Sequence, residues 1–503
     1  MTPGPETFPD EASDACVAQF DKIHGFLAGD GAAALEHSEL EAYIRTEGFE
    51  LLRLFLQDHY DLRATKETRL TEVADSGGVA RRAAEAGHQR PLTTIVGTVT
   101  LGRLAYRRRG EENLYPADAM LNLPDERHSH GLRELSAIES TRGSYDEARD
   151  AIERATGVSV AKRQVEGLAQ AAAIDFDAFY QAVPRPVAEE KEVIVISVDG
   201  KGVVMRPDGL RAATADAAAN AKPKLKGRLS KGEKRNRKRM AELGAVYTIK
   251  AVPRTPADVM ARSDEQAAAK PPAPKAENKW LTASIADDAA QVIAQVFDEA
   301  TRRDPDHRCQ WVALVDGNLH QIDRIKAEAK QRGITVTIVV DYVHVLEYLW
   351  AAAWSFFAEG DPAAEEWVHE KAIAILEGKA TIVAAAIRRK ATTLGLDDTQ
   401  RNNADSCADY LLAKAANLDY PTALAKGWPI ATGIIEGACR HIVADRLDIT
   451  GARWSVDGAE AILKLRALRS NGEWAQYWRF HLAQERTRVH ESRYLNNVIP
   501  RAA

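Results

Sequence analysis

Glu192-Val193-Ile194-Val195-Ile196-Ser197-Val198-Asp199-Gly200 is a mostly β-branched apolar run that ends abruptly in a carboxylate and a glycine. Such a run reads as a buried strand. A strand with an aspartate at its carboxyl end presents that charge at the sheet edge where open α/β sheets bind ligands. Gln310-Trp311-Val312-Ala313-Leu314-Val315-Asp316-Gly317 repeats the pattern, and Ile334-Thr335-Val336-Thr337-Ile338-Val339-Val340-Asp341 gives it a third time. A helix is expected between the last two, over 320–332. This strand–helix–strand rhythm implies parallel neighbours with right-handed crossovers. Parallel strands share a carboxyl edge, so Asp199, Asp316 and Asp341 are expected to face one region.

Working outward, residues 245–252 and 279–285 read as two further strands, and 287–303 as a helix with Ala290, Ile293, Val296 and Phe297 inward. From 342 to about 424 the chain reads as packed, alanine-rich helix with no strand candidate. Helix is expected again over 457–470, and over an aromatic, basic tail at 474–493. Upstream, residues 1–88 read as helical, and 91–109 as a small hairpin in which Thr93, Ile95, Gly97, Val99 and Leu101 alternate. Ser144 offers an N-cap, with Asp146 and Glu147 in the first turn. Ala148, Ala151, Ile152 and Ala155 form one stripe, a break follows at Gly157, and Val160, Ala161, Val165 and Leu168 turn inward on the next helix. Lys162, Arg163 and Gln164 then point outward. Two short helices about a glycine turn fit a helix-turn-helix, and they fit an ordinary helical hairpin equally well.

The chain has 503 residues, 45% hydrophobic and 28% charged, enough for several domains with their own cores. Its four cysteines lie far apart with no CxxC pair, which speaks against a disulfide framework or a thiolate zinc site and fits a reducing cytoplasm. No signal peptide is expected at the start, and no apolar run approaches the ~20 residues of a membrane helix. A net charge of −6 argues against a nucleic-acid partner, but the average hides residues 222–239, which hold ten basic side chains and one acidic. A charge run is usually a solvated loop. Inside a sheet domain, Lys224, Lys226, Arg228, Lys231, Lys234, Arg235, Arg237, Lys238 and Arg239 are expected to meet DNA phosphates, giving salt-sensitive, sequence-blind affinity.

Cleavage and transfer of phosphodiesters by two divalent cations needs carboxylates around ions ~3.5–4 Å apart. Mg²⁺ prefers a few carboxylates plus water and substrate oxygens to an all-protein cage. Asp199 and Asp316 on neighbouring strands, with Glu436 from a late helix, meet that demand. Strand-end aspartates alone are common in α/β proteins.

Further residues sharpen this. Val198-Asp199-Gly200, Leu314-Val315-Asp316-Gly317-Asn318, Val340-Asp341-Tyr342-Val343-His344 and Gly433-Ile434-Ile435-Glu436-Gly437-Ala438-Cys439-Arg440, with the block from Asp448 to Trp454, resemble bacterial insertion-sequence transposases of the ISKra type, relatives of the Mutator-like DDE enzymes. The resemblance covers nearly the whole chain. It implies an α/β fold: a ribonuclease-H-like mixed-sheet catalytic domain with an all-α insertion before the glutamate. A mainly α DNA-binding region with a small β-hairpin precedes that domain. The second aspartate is Asp316 by strand position, although Asp341-Tyr342-Val343-His344 resembles the (Cys/Asp)-x-x-His signature of the Mutator-like relatives. His344 is then a near-site helper or a histidine packing its own helix. Arg440 and His441 are candidate phosphate contacts, and Arg453 and Trp454 could clamp an unstacked base unless the ring belongs to the core.

The expected organisation is a helical region over 1–88 and a hairpin with helix-turn-helix over 89–185. The first part of the core follows over 190–360 with a basic insertion at 201–243, then a helical insertion over 361–426, and the rest of the core with its tail over 427–503. The expected activity is Mg²⁺- or Mn²⁺-dependent hydrolysis at the element end, two ions per site, followed by in-line attack of the freed 3′-hydroxyl on target DNA. The expected partners are terminal inverted repeats and target DNA, bound by a homodimer or higher oligomer associated with the nucleoid. A nuclease on branched DNA and a non-catalytic, domesticated DNA-binding protein are the rival readings.

Overall fold

The computed structural model describes residues 10–220, 237–262, 270–449 and 451–501. The chain forms two compact units, Met1–Ala182 with Glu473–Ala503, and Val183–Gly472. Both helices and strands are present, so the class is mixed α/β. No helix among the described residues is long and apolar enough to cross a membrane.

In the first unit, helices α1 (Asp10–Leu27) and α2 (His37–Thr65) pack against each other. Helix does not continue to residue 88 as expected. Asp75 Oδ1 accepts from the N–H groups of Gly77 and Val79 and folds the chain into a turn. That turn pairs the short strands Val73–Ala74 and Ala80–Arg81. Side-chain capture of backbone N–H groups competes with helix here. A longer hairpin follows, β1 (Ala83–Thr94) and β2 (Gly97–Arg107), antiparallel with a bulge between Glu85 and His88.

Helices α3 (His130–Arg142), α4 (Tyr145–Thr156) and α5 (Lys162–Ala173) then share one core of Leu132, Ala148, Ile152, Val160, Val165 and Leu168. Ser144 and Glu147 form the expected capping box, each side chain serving the other's backbone N–H. Gly157 ends α4 with a φ of +69°, the left-handed turn that redirects the chain. Ala155 and Ala161, expected inward, are exposed. The C-terminal helix Trp474–Glu485 belongs to this unit rather than to the sheet unit, contrary to expectation. Its Tyr477 hydroxyl donates to the Ala172 carbonyl at 2.6 Å. His481, fully buried, sits between Arg133 at 3.1 Å and Asp175 at 2.7 Å.

The second unit is built on a five-stranded sheet: β3 (Glu192–Val204), β4 (Lys238–Lys250), β5 (Ala276–Ser284), β6 (Gln310–Val315) and β7 (Val336–Val340). The order is β5-β4-β3-β6-β7. β3, β6 and β7 run parallel, as their rhythm predicts, while β4 is antiparallel to β3 and β5. β3 does not end at Asp199. β4 continues to pair with it as far as Val204↔Lys238, whereas its pairing with β6 stops at Ser197↔Leu314. Helices α6 (Ala289–Arg303) and α7 (Leu319–Arg332) make the crossovers.

After β7 come α8 (Tyr342–Ala353), α9 (Pro362–Leu376), α10 (Ala380–Thr393), α11 (Asp398–Lys414) and α12 (Tyr420–Ala425). Val345, Leu349, Val368, Ile387 and Leu411 of these helices form one continuous core with Val193, Val195, Val312, Leu314 and Val339 of the sheet. The helical insertion is therefore bonded to the sheet by shared burial and is not a detachable lobe. α13 (Gly433–Ala438) then lies against β3 and β4, and α14 (Val456–Asn471) against β5.

Candidate active site

Register brings the three aspartates together. Ser197 pairs with Leu314 and Leu314 with Val339. Continuing that register by two residues puts Asp199, inside β3, level with Asp316 and Asp341, which stand just past the ends of β6 and β7, in one row at the carboxyl edge. In a parallel sheet, neighbours in one row share a face.

Their surroundings separate them. Asp341 is fully buried and its oxygens are committed to the fold. Oδ1 accepts from the Val343 N–H at 2.9 Å and caps α8, while Oδ2 meets His344 Nδ1 at 3.2 Å and the Thr432 hydroxyl. Asp316 is partly exposed, and its Oδ1 accepts from the Asn318 N–H at 2.8 Å. Asp199 is also partly exposed. Its Oδ1 accepts from the Gly200 N–H at 2.6 Å and its Oδ2 from the Cys439 thiol at 3.1 Å. Burial pushes the Asp199 carboxyl above the usual carboxylate range; the thiol and the Gly200 N–H oppose this and the Asp316 charge adds to it.

Glu436 is exposed in the first turn of α13. Cys439 follows three residues later, at the start of a π-helical stretch, Cys439–Ala444. Its bond to Asp199 therefore ties the helix that carries Glu436 to the strand that carries Asp199. Burial, and then Asp199 itself, raise the thiol far above its ordinary value, so it stays a neutral donor. Among the described residues no three His, Cys, Asp or Glu side chains are gathered as a ready-made metal nest.

His344 lies within the field of Asp199, Asp316 and Asp341. Burial alone would depress its imidazole, but Asp341, with Glu347 and Asp316, more than offsets this and holds it above its ordinary value. Arg440 and His441 are exposed on the stretch after Glu436. Arg453 is exposed, but Trp454 is not: it is 5% exposed, its ring N–H donates to the Leu447 carbonyl at 3.1 Å, and the Arg446 guanidinium covers its ring. The ring is core and is not offered to a base.

The basic residues divide. Lys224, Lys226, Arg228, Lys231, Lys234 and Arg235 lie outside the described residues. Arg239 donates to the carbonyls of Gly209 and Ala286, and Lys238 stands 3.5 Å from Asp448, so both are engaged within the fold. Arg237 directly precedes β4, and its carbonyl accepts from the Met205 N–H at 2.8 Å. In the first unit Lys162, Arg163 and Gln164 are exposed at the start of α5, as expected, with Lys162 paired to Asp146 and Gln164 Oε1 accepting from the Ala161 N–H.

Three side chains of the insertion reach the strand ends without having been singled out in the sequence. The Tyr410 hydroxyl donates to the Asp316 carbonyl at 3.0 Å, and the Tyr420 hydroxyl to the Val340 carbonyl at 2.9 Å. Lys414, one turn beyond Tyr410, covers Gly317. A signal for Lys414 is present in the sequence: Ala404, Cys407, Ala408 and Leu411 form a buried helical stripe, and the lysine continues it. Gly317 is required at its position, with a φ of +95° and the Tyr410 hydroxyl 2.9 Å from where a Cβ would stand.

Compared with known proteins, the chain matches no family model and no curated sequence.

Proposed function

We propose that the chain is a DDE-type transposase of an insertion sequence, built on a ribonuclease-H-like catalytic domain. One observation carries this reading: Asp199 and Asp316 occupy one row on adjacent parallel strands, and Cys439 couples Asp199 to the helix bearing Glu436. The sheet order β5-β4-β3-β6-β7, with β4 antiparallel and a helical insertion before Glu436, supports the ribonuclease-H-like assignment.

The donor set fits Mg²⁺ or Mn²⁺. Asp199 and Asp316 are hard oxygen donors that feel each other's charge, and Mg²⁺ takes one or two carboxylates plus substrate oxygens. Asp199 and Asp316 would hold the ions and Glu436 would complete the set. When bound, two such ions supply Lewis-acid stabilisation of both the attacking and the leaving oxygen. The chain's own residues do the positioning. The Asn318 N–H fixes one oxygen of Asp316 and leaves the other for a ligand, while the Gly200 N–H and the Cys439 thiol each hold one oxygen of Asp199, whose oxygens keep further lone pairs to give. His344, its imidazole held above its ordinary value by Asp341, stands beside them, and Arg440 and His441 line the approach to Glu436 as phosphate contacts.

The substrate is double-stranded DNA, bound in part through Lys162 and Arg163 of α5 and through the basic run. Joining two element ends takes at least two copies of the chain, in a cytoplasmic, nucleoid-associated assembly. The test uses a plasmid carrying the gene with its flanking DNA, incubated with the full chain and Mg²⁺ or Mn²⁺. Scission at the element boundaries by the parent and none by Asp199→Asn, Asp316→Asn or Glu436→Gln is expected. Variants that cut at the parent rate overturn the reading. Cutting confined to four-way junctions would favour a branched-DNA nuclease, and metal-indifferent binding without scission a non-catalytic DNA-binding protein.

A further inference from the structure

We propose that Lys414, carried by the helical insertion, is a DNA-phosphate contact of this site; the inference rests on the transposase reading above. Lys414 is only 7% exposed, at the end of a stripe whose other members, Ala404, Cys407, Ala408 and Leu411, are buried in the core shared with the sheet. Its Cε lies 3.5 Å from where a Cβ on Gly317 would stand, so the side chain lies over the Asp316–Gly317 turn. Tyr410, one turn earlier, anchors this part of α11 to the Asp316 carbonyl and stacks on Tyr348 at 4.1 Å. Lysine is therefore held at the site by a rigid mount.

The ammonium lacks a matching anion. Asp316 and Asp323 act on it through space, but among the described residues it forms no ion pair. The surrounding fold partly desolvates the ammonium, a cost that an apolar side chain of equal length would avoid in the same space. The carboxyl end of α11 offsets part of this. An anion arriving beside Asp316 offsets more, and a transposase site brings a phosphate to that point. Electrostatic groups preset in a low-dielectric site act most strongly on charge that develops there.

The test uses the full-length chain and the variants Lys414→Met, Lys414→Gln and Lys414→Arg. Binding to a short duplex cut from the DNA flanking the gene is measured in EDTA over a range of salt. Each phosphate contact contributes about 0.9 to the slope of log affinity against log salt. Lys414→Met and Lys414→Gln are expected to flatten the slope by about that amount, and Lys414→Arg to keep it. Plasmid scission in Mg²⁺ is expected to fall on the order of 100-fold in rate for Lys414→Met. A merely structural lysine would lower the melting temperature and leave the salt slope unchanged. If Lys414→Met does not fold, the contrast between Lys414→Gln and Lys414→Arg decides on the same slope. Parent slope and parent scission rate in folded Lys414→Met overturn the proposal. No scission by the parent chain overturns the transposase reading instead, while the slope still reports on Lys414.

Discussion

The thiol of Cys439 donates to Oδ2 of Asp199 at 3.1 Å, joining a strand and a helix that stand 240 residues apart in sequence. The bond sets the distance between Asp199 and the turn that carries Glu436. Cys439→Ala removes the donor and is expected to reduce metal-dependent scission about tenfold, the effect of one lost hydrogen bond to a charged group. Cys439→Ser, which keeps a donor, is expected to stay close to the parent. Because burial and Asp199 keep the thiol protonated, iodoacetamide should label Cys439 slowly at neutral pH in the folded chain and rapidly after unfolding. Fast labelling of the folded protein, read by mass spectrometry, would contradict this geometry.

Asp316 and Asp341 share a row but not a task. Asp316→Asn is expected to abolish scission with the melting temperature unchanged. Asp341→Ala removes the cap of α8 and the partner of Thr432 and His344, and is expected to lower stability by about 2 kcal/mol. Denaturant titration and cleavage assays on both variants check the division. A stable Asp341→Ala with no activity would make Asp341 the second ligand.

The insertion's tyrosines close the strand ends. Tyr420 is fully buried, so Tyr420→Phe leaves the Val340 carbonyl without its donor and is expected to destabilise the chain by about 2 kcal/mol. Tyr410 is only partly buried, and Tyr410→Phe should cost about 1 kcal/mol because water can replace the hydroxyl. Urea unfolding of the two variants gives the comparison, and equal losses would contradict it.

The first unit should be acid-labile. Burial, with Arg133 nearby, lowers His130 from 6.5 to about 4; its Nε2 donates to the Asn122 carbonyl and its buried Nδ1 has no partner among the described residues. Burial also lowers His128 and His490. The folded state resists protons that the unfolded chain accepts, so stability is full above pH 6.5 and falls as pH drops from 6.5 towards about 4. For His130 the loss is roughly 3 kcal/mol across that window. Thermal melting of the parent and of His130→Gln from pH 7 to pH 4 measures it. A parent melting temperature that is flat with pH would refute the assignment.

Much of the sheet unit was legible in the sequence because its strands are short β-branched runs ending in Asp, and because parallel strands share a carboxyl edge. That logic places Asp199, Asp316 and Asp341 in one region from local pattern alone. The capping box at Ser144 and the turn at Gly157 were equally legible, since their chemistry is local. Sequence did not show that Asp341 is spent on its own helix, because that depends on Thr432, 91 residues away. It could not hold Trp454 in the core, which depends on Arg446 and the end of β3. Nor could it bring Tyr410, Lys414 and Tyr420 to the strand ends, or send the helix at Trp474–Glu485 back to the first unit. Local pattern fixes which residues form an element and which end is charged. Which carboxylate is left with an oxygen to give is decided by partners that only the folded chain brings into hydrogen-bonding range.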